Sequence, residues 1–321
     1  VRIGRWNGPD GIGEGIILDD RVIAFPDGVT VADVLARGLD EALRLGRAVE
    51  AEQGVPRDAV ELLAPLVPAS IRDFVAFEEH VEGISASVDG ASEVVPEWYQ
   101  LPTFYFTNPH SVRASGEVVD VPETARLDFE LELAVVIGAV PGSDGANLDV
   151  EAAASHIFGY TVMNDWSARD LQAREMKVRL GPAKGKDFAT TLGPWIVTAD
   201  EFADRLDGDG FLPLHAEVSI NGERVGEDRI SNMGWPFPEL VAYAARNSVV
   251  RPGDVLGSGT VGNGGCLGEL WGRSGELSPP PLEPGDEVRM VIEGVGEIVN
   301  TVGQRVPAPP IPAARKRPRN R

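Results

Sequence analysis

Apolar and polar positions change period several times along the chain, and each change marks an element. Residues 1 to 25 alternate in short apolar pieces such as GIILDDRVIAF, broken by Gly, Asn and Asp, and read as a small antiparallel sheet. GIGEG lies inside this stretch and lacks the strand-turn-helix context of a dinucleotide loop. TVADVLARGLDEALRLGRAVEA follows at helical spacing, with Thr30 as its N-cap. Pro-bearing segments near 56 and 65 to 68 link this part to a larger one. SIRDFVAFEEHVEG reads as a helix: Ser70 and Asp73 fit a capping box, and Phe74, Phe77 and Val81 form a stripe. Residues 83 to 100, small and polar, read as a mobile loop, and strands are expected at 104–107, 117–121 and 127–138. Helices are expected near EAAASHI, in WSARDLQAREMK and in FPELVAYAARNS. LHAEVSINGERVGE is a hairpin turned by Asn221-Gly222. Two Pro-Gly-Asp turns, at 252–254 and 284–286, each lead into a strand.

Within the strand expected at 127–138, DFELE carries the sharpest pattern. Asp128, Glu130 and Glu132 share one face, and Phe129, Leu131 and Leu133 share the other. Carboxylates at alternate positions lie about 7 Å apart and repel. The strand runs on into AVVIG, apolar on both faces, so its acids need a partner: basic side chains or a cation. Oxygen ligands in this number suit Mg²⁺, Ca²⁺ or Mn²⁺ better than zinc.

Composition narrows the partners. The 321 residues are 43% hydrophobic and 25% charged, and the length favours a large domain with a small one. The 37 glycines and 25 prolines favour many turns and hence β structure. A net charge of −21 argues against nucleic acid and anionic membrane surfaces as partners. A single cysteine, Cys266, excludes an internal disulfide framework and a Cys-based zinc site. With no signal pattern and no membrane-length apolar run, a cytoplasmic protein is expected. The tail from 306, Pro-rich then basic, reads as a disordered, solvated segment.

Other candidate groups each have a plain structural reading. Asp165, at the junction of an apolar stretch and a helix, fits an N-cap. Asp73 fits a helix N-terminal acid, and His80 would fall on the same stripe and can serve as a base. Lys186 stands among glycines in GPAKGKDFATTLGPW, and Glu269 follows the Gly-rich run GNGGCLGE. Spacing alone does not decide among these readings.

Taken in order, DFVAFEEHV, LDFELELAVVIG, MNDWSARDLQ, LGPAKGKDFATTLGPWIV, PGDVLGSGT and EGVGEIVNTV closely resemble the fumarylacetoacetate hydrolase family, over about residues 70 to 303. The resemblance implies an α+β protein, mainly β with some α. A small N-terminal α+β domain (1–68) would precede a catalytic domain of mixed β-sheets rolled around a divalent cation (69–305), with a basic tail from 306 to 321. It implies a homodimer and a Mg²⁺, Ca²⁺ or Mn²⁺ site made by Asp73, Glu130, Glu132 and Asp165, with Thr190 nearby. It makes His80 the catalytic histidine, Glu269 its partner acid and Lys186 the catalytic lysine, with Arg169, Gln172 and Thr260 contacting substrate. Gly83 stands where acylpyruvase-like members carry the partner acid. Val75, Asp89 and Met176 replace a tyrosine, an arginine and a tyrosine of fumarylacetoacetate hydrolases.

The implied reaction is hydrolysis of a C–C bond in a 1,3-diketone or 2,4-dioxo acid. Water would be activated by His80 and Glu269, and Lys186 would stabilise the oxyanion. The alternative within the same superfamily is decarboxylation, isomerisation or hydration of an oxo acid through an enolate. A non-catalytic, cation-stabilised binding protein is the third reading.

Overall fold

The computed structural model describes residues 1–9, 11–26, 28–49, 54–89 and 93–317, the side chains of 87–89 excepted. Its mixed α+β architecture rests on a twelve-stranded sheet, a five-stranded sheet and a two-stranded ribbon. The central run of the large sheet is Arg2–Gly8, Thr190–Thr198, Ile157–Asp165, Leu131–Ile137, Asp254–Gly257, Ser70–Phe74 and Phe104–Thr107. The neighbours along this run are antiparallel except Asp254–Gly257 and Ser70–Phe74, which are parallel. The five-stranded sheet contains the hairpin His215–Ile220 and Glu223–Arg229, with Glu287–Ile292, Gly296–Val306 and Val118–Pro122. Asn221 and Gly222 both take positive φ (51° and 85°), the conformation that a tight two-residue hairpin turn requires.

The alternation in DFELELAVVI is what places this strand between two cores. Phe129, Leu131, Leu133, Val135 and Ile137 enter the core against the five-stranded sheet. Ala134 and Val136 enter a second core with Val31, Val34, Leu35, Ala42 and Leu45 of the helices Val31–Arg37 and Leu39–Ala48. Asp128, Glu130 and Glu132 keep the parity of the second set, so the apolar face of the strand becomes its carboxylate face toward the N-terminal end.

Four readings of the sequence change. Ser70–Phe74 is a strand, and the helix begins only at Glu78. The Ser70 hydroxyl donates to Asp254 (2.8 Å) instead of capping a helix, because pairing with Asp254–Gly257 supplies the backbone bonds that a helix would have made. Phe74 and Phe77 are core residues as the stripe required. Part of the expected loop at 83–100 is the same helix, Glu78–Asp89; residues 90–92 lie outside the described residues. Beyond them Trp98 is buried and its Nε1 donates to the Val75 carbonyl (2.7 Å). The first helical stretch is two helices separated by Gly38 (φ 88°), while Thr30 caps the first of them as expected. The strand expected at 127–138 is interrupted at Phe129 and Glu130.

At the N-terminus, the expected small sheet forms, and Arg2–Gly8 pairs onto Thr190–Thr198, so it is continuous with the large sheet. Residues 307–317 carry no regular secondary structure and are exposed; 318–321 lie outside the described residues.

Candidate active site

Asp73, Glu132 and Asp165 come from three strands of the large sheet and Glu130 from the break just before Leu131–Ile137, and all four are buried: Asp73 1%, Glu130 4%, Glu132 0% and Asp165 0% exposed. Carboxylate oxygens of Asp73, Glu130 and Glu132 lie within 4.8 Å of one another. Gly257 separates the strands of Glu132 and Asp73 in the sheet. A Cβ there would fall 2.6 Å from Glu132 Oε2 and 2.8 Å from Asp73 Oδ1, so only glycine lets these acids converge. Asp165 lies beside them at the end of Ile157–Asp165, paired in register with Thr190. Its N–H donates to the Glu130 carbonyl (3.2 Å).

Buried oxygens of this kind normally have donors. Among the described residues, Asp73 Oδ1, Glu132 Oε1, Asp165 Oδ1 and Thr190 Oγ1 have none. Four orphaned oxygens around converging carboxylates fit a hard, oxygen-seeking divalent cation. Protonation tells the same story. Burial, aided by the charges of Asp165 and Glu130, pushes Asp73 up to about 8. Burial and the Asp73 charge push Glu132 well up, and burial also raises Asp165.

Glu130 is the exception. Burial would raise its pKa, but Lys186 and Arg169 overcome burial and lower it. Lys186 Nζ bonds Glu130 Oε2 and lies 2.8 Å from Asp165 Oδ2, while Arg169 NH2 lies 2.8 Å from Glu130 Oε1. Lys186 is 2% exposed; burial opposes its charge, yet Asp165 and Glu130 raise its pKa, so the ammonium stays ionised. Arg169 is held by Asp128 through Nε (2.8 Å) and NH2 (2.7 Å), and its NH1 donates to Gln172 (3.1 Å). Asp128 is expected from the sequence to lie outside the metal shell, bonded to a nearby donor such as Arg126; the structure pairs it with Arg169 instead, from the helix Arg169–Met176.

His80 lies on the helix Glu78–Asp89 with its Nε2 3.8 Å from Glu130 Oε1 and its Nδ1 3.6 Å from Cys266 Sγ. Burial lowers its pKa to about 3, so the imidazole is neutral. His80 and Glu269 share no hydrogen bond among the described residues. Glu269 Oε1 accepts from the Gly264 N–H (3.2 Å) and pairs with Arg273 (2.8 Å) instead. Its helix packs on that of His80: a Cβ on Gly83 would overlap the Glu269 side chain and lie 3.0 Å from its Cα. The space for a carboxylate at 83 is thus already filled by the one at 269. Thr260 is buried in the segment after Asp254–Gly257, where Gly259 N donates to Glu132 Oε2 (3.1 Å) and Val261 N to the Leu131 carbonyl (2.9 Å). His110 is exposed, as a surface histidine would be.

Two residues at the site escaped the sequence reading. Tyr105 pairs in register with Asp73, and its hydroxyl donates to Asp73 Oδ2 (2.9 Å) or to Asp165 Oδ2. An aromatic residue in a strand reads as core, and only the cross-strand register exposes its role. Cys266 is the other: the sequence marks it as a lone thiol, and the fold brings it to His80.

Residues 69–303 match the family model described as fumarylacetoacetate (FAA) hydrolase, C-terminal. The chain is 33% identical over 307 residues to a fumarylacetoacetase of Arabidopsis thaliana, covering 78% of this chain and 72% of that one. It is 29% identical over 246 residues to oxaloacetate tautomerase YisK of Bacillus subtilis, covering 76% and 73%. The fold superposes on the fumarylacetoacetate hydrolase of Exiguobacterium antarcticum with a TM-score of 0.71, at 24% identity over 95% of this chain and 99% of that one. The chain belongs to the fumarylacetoacetate hydrolase family.

Proposed function

We propose that the protein is a hydrolase cleaving a C–C bond in a 1,3-diketone or 2,4-dioxo acid, with a divalent cation held by Asp73, Glu130, Glu132 and Asp165. The observation that supports this most is the convergence of buried carboxylates with orphaned oxygens beside a neutral histidine and a charged lysine. When bound, such a cation supplies Lewis-acid polarisation of a substrate carbonyl. His80, neutral and with Nε2 on the Glu130 side, takes the proton from the attacking water. Lys186 acts as a fixed positive charge rather than a base, because Glu130 and Asp165 keep its proton in place. Its remaining N–H is available to an oxyanion, and the buried setting strengthens that interaction. Arg169 cannot swing freely to a substrate while Asp128 holds it through two nitrogens, so it binds an acid group only from its present place. The proposal includes Mg²⁺, Ca²⁺ or Mn²⁺ as the ion and a homodimer as the solution state; light scattering at matched concentrations reads the latter.

The test is an activity screen with Mg²⁺ or Mn²⁺ against acylpyruvates and other dioxo acids, products identified by mass. EDTA abolishes turnover, and His80→Ala is inactive while still binding the cation. Near-full hydrolysis by His80→Ala would remove the water-activating role. A second reading, enolate chemistry on an oxo acid without C–C hydrolysis, is favoured by the tautomerase relative. Conversion or decarboxylation of oxaloacetate without cleavage of any diketone would select it.

A further inference from the structure

His80 is 7% exposed, and a buried imidazole acts as a base only when its other nitrogen fixes the ring and the tautomer. The group at that nitrogen is a thiol. Cys266 Sγ lies 3.6 Å from Nδ1, within range of a hydrogen bond to sulfur, while Glu269 is tied through Oε1 to Gly264 and Arg273 and makes no hydrogen bond to His80 through its buried Oε2 among the described residues. Sγ also caps the helix Leu267–Ser274, accepting from the Glu269 N–H (3.4 Å).

The place of that sulfur is set by Asp128. Its fully buried carboxylate accepts from the N–H groups of Leu267 (2.7 Å) and Gly268 (2.8 Å), at the start of the same helix, and is clamped by Arg169 from the other side. Gly268 permits this approach, since a Cβ there would fall 3.1 Å from both Asp128 Oδ2 and Arg169 Nε. Asp128 therefore ties the strand of Glu130 and Glu132 to the helix that carries Cys266.

We infer that Cys266 is the positioning residue of His80: Nδ1–H donates to Sγ, which leaves the Nε2 lone pair facing the Glu130 side of the site. This rests on the reading of His80 as the base. The reverse arrangement, S–H donating to Nδ1, would put the proton on Nε2 and leave no base there.

The test combines the ¹⁵N spectrum of His80, assigned through His80→Gln, with kinetics of Cys266→Ala and Cys266→Ser in the Mn²⁺- or Mg²⁺-loaded enzyme. The wild type is expected to show the Nδ1–H tautomer, and Cys266→Ala a mixture. In Cys266→Ala, kcat falls about 10- to 100-fold, as for other groups that orient a histidine, with KM within about twofold. Cys266→Ser, whose hydroxyl accepts from both N–H groups, recovers most of kcat and the wild-type tautomer. An Nε2–H tautomer in the wild type overturns the inference, whether or not Cys266→Ala folds. So does Cys266→Ala with an unchanged spectrum and unchanged kcat. A fully active His80→Ala would instead overturn the base reading, leaving the tautomer result to stand or fall on its own.

Discussion

Glu269 shows how a buried acid reports its surroundings. Burial raises its pKa to about 7 against the opposing charge of Arg273, so the folded protein holds this proton more tightly than the unfolded chain does. A raised carboxyl pKa adds stability at low pH, fully present below the ordinary 4.5, and that stability is lost as pH rises through about 7. Glu269→Gln keeps an oxygen acceptor for Gly264 and has no proton to lose. Its melting temperature relative to wild type is therefore expected to rise between pH 5 and pH 8, by an amount worth a few kcal/mol at most. Parallel melting curves across that range would exclude the effect. The residue scale also shows what a sequence can carry. Alternation in DFELE placed Glu130 and Glu132 correctly on one buried face, because side-chain period is a local property. That Arg169 meets Asp128 and Glu130 was not local: Asp128 and Arg169 are 41 residues apart and meet through the ribbon Leu127–Asp128 with Ser167–Ala168.

Elements were legible wherever local signals agreed, as in the Asn221-Gly222 hairpin and the Thr30 cap. They failed at Ser70–Phe74, where a capping pattern and a helical stripe competed with a strand whose partner lies some 180 residues on. A parallel pairing of such range leaves no trace in a short window, so the helix was read several residues early. The next element, Glu78–Asp89, packs on Leu267–Ser274 with Gly83 against Glu269. Gly83→Ala is helix-favouring by propensity, yet it forces these helices apart at a backbone contact of 3.0 Å. A net loss of about 1–3 kcal/mol in denaturant unfolding is expected. The double variant Gly83→Ala/Glu269→Ala regains part of it, because the overlapping side-chain atoms are gone. Equal losses in the single and double variants would show that the contact with Glu269 is not the cause.

At the scale of the molecule, the large sheet and the two cores on its faces support a concentration of negative charge in which, among the described residues, acids outnumber the cations paired with them. Asp73, Glu130, Glu132, Asp165 and Asp128 are all buried in one region, and the cations among them are Lys186 and Arg169. Without a metal ion, protons make up the difference, and Asp73 holds its proton up to about 8. The sign of the resulting pH dependence follows. Asp73 ordinarily ionises near 3.8; its raised value contributes stability below that pH, and this is lost as pH rises through about 8. Cation-free protein is therefore expected to lose stability steadily from pH 5 to pH 9. Cation binding needs the ionised ligands, so it tightens over the same range and releases protons as it occurs. At a hundredfold excess over Kd the ion adds about 2.7 kcal/mol. Melting curves in EDTA and in saturating Mg²⁺ are thus expected to diverge with rising pH, by several degrees at pH 8. Calorimetry in buffers of different ionisation enthalpy should count the released protons independently. If the two sets of melting curves coincide at pH 8 and no protons are released, the buried acids balance one another without a cation, and the proposed metal centre fails.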